Sequence, residues 1–86
     1  MSIEPESVRH ALRSVRAASY RIGSGEHGTS LALVMNASEA GRRNAAAKIV
    51  GLLAEHGLAL EVDEPVRALT ESRAGFVVRQ ASSRSR

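Results

Sequence analysis

Apolar residues recur along the chain with two different periods, and the switches between them divide it into elements. Val8, Leu12 and Val15 stand at i, i+4 and i+7 with Ala11 beside them, predicting a short amphipathic helix from Glu6 to about Arg16. Pro5 near the first turn, with Glu4 and Glu6 at the positive end of the dipole, supplies its start. Ser19-Tyr20-Arg21-Ile22 and Leu31-Ala32-Leu33-Val34-Met35 read as strands, with the glycine-rich stretch from Gly23 to Thr29 between them as a loop. Two strands joined so closely favour an antiparallel hairpin.

Asn36-Ala37-Ser38-Glu39 has the form of a capping box, with Asn36 as N-cap and Glu39 as the reciprocal carboxylate. The helix that follows is expected to run to His56 and to stop at Gly57 in the left-handed conformation. Its inner stripe is Ala45, Ala46, Ile49, Leu52 and Leu53 with His56 at the edge, while Asn44, Lys48 and Glu55 face water. Leu58 to Val62 reads as a strand, so Leu31 to Val62 has the order of a βαβ unit, for which a right-handed parallel crossover is expected. Val66 to Thr70 alternates as a strand does, although its composition also suits a helix starting at Pro65; the alternation favours the strand. Gly75 to Arg79 is the last strand.

The expected fold is α+β: a two-layer sandwich of a mixed sheet of four or five strands, one long helix and one short N-terminal helix, in the order α-β-β-α-β-(β)-β. Residues 1–79 form one small domain, and residues 80–86 a disordered Ser/Arg-rich tail.

Composition narrows this picture. The chain has 86 residues, of which 20 are Leu, Ile, Val or Phe, enough for a modest core. It contains no Cys, which excludes a disulfide scaffold and any thiolate metal site. No apolar run is long enough to cross a bilayer, and the acidic start Met1 to Glu6 has no export signal, so a cytoplasmic protein is expected. The 11 arginines and 14 alanines match the coding bias of GC-rich bacteria and their phages.

The formal charge is +3, but the segment Arg79 to Arg86 carries three arginines and no acid, so residues 1–78 sum to zero. Within them, residues 1–50 carry +3 and residues 51–78 carry −3. Opposed charges of this kind suit docking against a complementary partner or a second copy better than they suit a continuous polyanion site.

Gly23, Gly25 and Gly28 spell GxGxxG, the fingerprint of a phosphate-cradling loop, but that mechanism needs a helix N-terminus after the glycines, and here a strand follows. Gly25-Glu26-His27-Gly28 also matches the GxxG backbone clamp of RNA-binding KH domains, yet Glu26 has the wrong sign for it. Glu26 and His27, with Ser24 or Ser30, are the nearest approach to an acid–base cluster, and they sit on one loop. His10, His27 and His56 fall in different elements, so no metal or other cofactor is expected. Glu61, Asp63 and Glu64 read as a solvated acidic rim.

Arg9, Arg13 and Arg16 share a helical stripe; with Arg42 and Arg43 on the second helix and Arg84 and Arg86 on the tail, they are the expected contacts to a partner or to phosphate. Tyr20 and Phe76 are the only aromatics, too few for base-stacking platforms. The sequence therefore favours a small non-enzymatic interaction module, binding a protein partner or a second copy through its basic helical surface or an exposed sheet edge. Nucleic-acid binding through the arginine stripe and tail ranks second, and no membrane partner is expected.

Overall fold

The computed structural model describes residues 3–15, 19–26 and 28–81. Along them run α1 (Pro5–Ala11), β1 (Tyr20–Gly25), β2 (Gly28–Leu33), α2 (Glu39–Glu55), β3 (Leu58–Leu60), α3 (Pro65–Glu71) and β4 (Phe76–Gln80). The fold is α+β, with a short N-terminal helix and one longer helix.

The four strands lie in the order β1-β2-β4-β3, and every pairing is antiparallel. This corrects the expected mixed sheet. β2 and β3 do point the same way on either side of α2, but β4 lies between them and pairs antiparallel with both. The fifth strand is also corrected: Val66 to Thr70 belongs to α3. Pro65 occupies its first turn, where a missing N–H costs nothing, and the Thr70 hydroxyl donates to the Val66 carbonyl at 2.7 Å. Arg67 reaches Glu71 four residues on at 3.1 Å, a pair that only helical spacing brings together.

Two helix boundaries also move. α1 ends at Ala11 rather than near Arg16, because Leu12 leaves helical geometry and Val15 bonds back to the Leu12 carbonyl in a turn. α2 is capped by Ser38, not Asn36: the Ser38 hydroxyl accepts from the Gly41 N–H at 3.2 Å. Glu39 is therefore the first helical residue, and its carboxylate pairs with Arg43 at 2.8 Å. The other end follows expectation, with Gly57 at φ +74° just past α2, a conformation that costs a side-chain-bearing residue about 1 kcal/mol or more.

A single cluster forms the core. Val8, Ala11 and Leu12 meet Ala46, Ile49 and Leu53 of α2, Leu69 of α3, and Leu31, Leu33, Leu58, Leu60 and Val78 of the sheet. Leu31 and Leu33 alternate onto one face of β2, the register carries that face through Phe76 to Val78 and across to Leu58 and Leu60, and so all three helices pack on one face of the sheet. The Thr29 hydroxyl, on that face, donates to the Ile3 carbonyl and ties the lead of α1 to β2. Pairing of β3 with β4 continues through Gln80, which therefore belongs to the sheet rather than to a tail, and the Ala81 N–H just beyond it reaches the Gly57 carbonyl at 2.8 Å. Residues 82–86 lie outside the described residues.

Candidate functional site

The other face of the sheet carries no described helix. Register places Arg21 opposite Ala32, Gly23 opposite Ser30, Ser30 opposite Val77, and Ala59 opposite Arg79. Most of these side chains are small, so the middle of the face is a nearly flat floor with Arg21 and Arg79 rising from it, both exposed. Flatness is enforced at Gly23, where an added Cβ would come within 3.2 Å of the Ser30 hydroxyl. Arg73, exposed between α3 and β4, donates to the Val34 carbonyl at 3.3 Å.

The edges of the sheet differ. β3 has three residues and runs directly into the acidic segment Glu61 to Glu64 and Pro65, which blocks strand addition. β1 is six residues long and holds neither proline nor an inward-pointing charge. The bond from the Val34 N–H to the Ser19 carbonyl fixes the alternation along β1. Ser19, Arg21, Gly23 and Gly25 face β2 with their backbone groups, so the N–H and C=O groups of Tyr20, Ile22 and Ser24 point away from the sheet.

The glycines that spell GxGxxG lie inside this hairpin. Gly23 and Gly25 are in β1 and Gly28 is in β2, so the expected loop shrinks to the Glu26-His27 connection. Their backbone groups are engaged in the ladder and leave no cradle for phosphate. Gly28 takes the positive φ of 103° at the start of β2, a conformation glycine adopts without steric cost. Glu26 is exposed at the turn, and His27 lies outside the described residues.

Of the arginine stripe, Arg9 is exposed on α1 and Arg13 in the turn beyond its end, and the two line one shallow cleft with Glu6 and His10; Arg16, Arg84 and Arg86 lie outside the described residues. Arg43 remains on the surface, paired with Glu39. Arg42 is corrected outright as a contact residue: it is 7% exposed, and its guanidinium donates only to backbone carbonyls. Nε reaches Thr70 at 2.8 Å, Nη1 reaches Met35 at 2.7 Å, and Nη2 reaches Leu69 at 2.9 Å, Ser72 at 3.1 Å and Leu33 at 3.3 Å. The cation thus closes the C-terminal end of α3, where the helix dipole favours positive charge, and pins it to α2 and to the end of β2.

Folding also brings together two histidines that the sequence keeps apart. The rings of His10 and His56 stand 5.9 Å apart and perpendicular, in a cleft of about 490 Å³ that Glu4, Glu6 and Gln80 also line. Among the described residues, no three ligating side chains converge to hold a metal ion. A second cleft, of about 570 Å³, lies along α3 between Arg43, Val66 and Arg67. Its charges answer one another: the hydrogen bond to Glu71, then the charges of Glu71 and Glu64, raise the Arg67 pKa above its ordinary value. No described helix is long and apolar enough to cross a membrane.

Comparison of the chain with protein-family profiles, with curated proteins and with solved structures finds no match in any of the three.

Proposed function

We propose that this chain is a non-enzymatic interaction module that docks onto a protein partner, or onto a second copy, through its sheet rather than its helices. One observation carries the reading: the described helices cover one face of the sheet, while among the described residues no strand pairs with the outer side of β1 and the opposite face exposes Arg21 and Arg79 with Ser30, Ala59 and Val77 half-buried between them. A face of Gly, Ser and Ala lets another backbone approach closely, and an unpaired strand edge offers main-chain hydrogen bonds in a fixed direction. The arginines that the sequence placed on the helices contribute less: one is buried and another is paired.

Site-specific photo-crosslinking in native extract tests this. A crosslinking residue at Ala59 or Val77, on the open face, is expected to capture a discrete adduct. The same residue at Lys48, on the outer face of α2, is expected to capture none. Equal capture from Lys48, or none from the open face, removes the proposal.

A second reading, binding of nucleic acid, draws on Arg21 and Arg79, both exposed on the open face. It requires affinity for labelled strands that falls steeply with salt and is lost in Arg21→Ala/Arg79→Ala.

A further inference from the structure

We infer that the β1 edge is occupied by the β1 edge of a second copy, antiparallel across a two-fold axis near Gly23, so that two four-stranded sheets become one continuous sheet. This rests on the sheet being the docking surface and names its partner. The N–H and C=O groups of Tyr20, Ile22 and Ser24 point outward along a strand that has no proline, no bulge and no inward-pointing charge, Arg21 being its one charged residue.

The strand is also complementary to itself in one direction only. It carries Arg21 near its start and ends at Glu26. Parallel, in-register pairing would set arginine on arginine and glutamate on glutamate. Antiparallel pairing about Gly23 sets each Arg21 opposite the Gly25 of the other copy, next to its Glu26, and holds the two guanidiniums apart.

The pairing satisfies the pleat as well. Directly opposed residues must share a face, and a two-fold at Gly23 pairs 22 with 24 and 21 with 25, preserving the covered and open faces across the junction. Ile22 and Ser24, whose backbone groups point outward, then exchange hydrogen bonds with their counterparts. Gly23 meets Gly23 as the non-hydrogen-bonded pair, where Cα atoms come within about 4.5 Å and neither residue has a side chain to clash. The arrangement is isologous and closes at two copies, because the second edge of each sheet, β3, is short and followed by acidic residues.

Sedimentation equilibrium of the full chain from about 10 µM to 1 mM tests this. An interface of one strand pair is small, so half-association is expected at a concentration on the order of 10⁻⁵ to 10⁻⁴ M. The Ser24 N–H points away from β2, so Ser24→Pro removes an edge donor without touching the internal ladder. It is expected to weaken association at least tenfold with an unchanged far-ultraviolet circular dichroism spectrum. Arg21→Glu is expected to weaken it several-fold, and Arg21→Glu/Glu26→Arg to restore it. A wild-type chain still at 9.1 kDa at 1 mM overturns the pairing, as does a dimer indifferent to Ser24→Pro and to the charge reversal. Those results leave open-face crosslinking to another protein untouched, so the two readings fail separately.

Discussion

Arg42 donates from its buried Nε to the carbonyl oxygen of Thr70 across 2.8 Å, joining two residues 28 positions apart. No acidic side chain is among its hydrogen-bond partners, and backbone dipoles from α3 and the end of β2 take the place of a counter-ion. Such a cation is tolerable only while every donor is satisfied.

Arg42→Ala leaves several inward carbonyls without a donor and opens a void, and is expected to destabilise the fold by about 3 kcal/mol or more. Small domains have only about 5 kcal/mol to lose, so the variant is expected to be largely unfolded near room temperature or slightly above. Arg42→Lys recovers only part of this, because an ammonium group cannot span the same fork of acceptors. Urea melts followed by circular dichroism decide the matter, and a midpoint close to wild type for Arg42→Ala would show the carbonyl cluster to be dispensable.

The cap of α2 is assigned to Ser38, whose hydroxyl receives the Gly41 N–H. Ser38→Ala is expected to cost about 1 kcal/mol, and Asn36→Ala, at an exposed position outside the helix, a few tenths at most. The reverse order in thermal melts would return the cap to Asn36.

Two glycines at the far end of that helix predict changes of opposite sign. Gly51 is exposed within α2 with open space around its Cα, so Gly51→Ala is expected to stabilise by about 0.5–1 kcal/mol. Gly57 has open space too, but its φ of +74° penalises any side chain, so Gly57→Ala is expected to destabilise by about 1 kcal/mol. Shifts of the same sign in calorimetry would contradict the backbone geometry at one of the two.

Thr29 is buried, and its hydroxyl holds the Ile3 carbonyl. Thr29→Val keeps the shape and removes the bond, with an expected cost of about 1 kcal/mol. Hydrogen exchange is expected to speed up along α1 before the sheet is affected, since the contact anchors that helix. Uniform acceleration across all elements would instead mean that α1 and the sheet open as one unit.

The hairpin, the long helix and its stop at Gly57 could be read from the chain because each depends on neighbours in sequence. The α3 segment could not be settled, since Val66-Arg67-Ala68-Leu69-Thr70 satisfies a period of two as well as a helical turn, and the bond from Arg42 to Thr70 lies outside any local window. Arg42 itself carried a usable sign: it continues the stripe 42, 46, 49, 53 that buries Ala46, Ile49 and Leu53. Its charge argues for the surface, and only the carbonyl cage that two distant segments supply reverses that argument. The meeting of His10 with His56 and the insertion of β4 between β2 and β3 are likewise products of topology. Of the expected contact residues, Arg9, Arg13 and Arg43 do lie on the surface. The open face was hidden, because its marker is the smallness of alternate residues in strands whose pairing was unknown.

The insertion of β4 has a consequence for biosynthesis. A ribosome delivers this sheet from the outside in, and the strand that bridges its two halves is translated last of the four. Until Phe76 to Gln80 emerges, the hairpin and the lone β3 strand have nothing between them to complete the ladder, and Leu60 lacks the Val78 it will face. Closure of the four-stranded ladder therefore waits on the residues of β4.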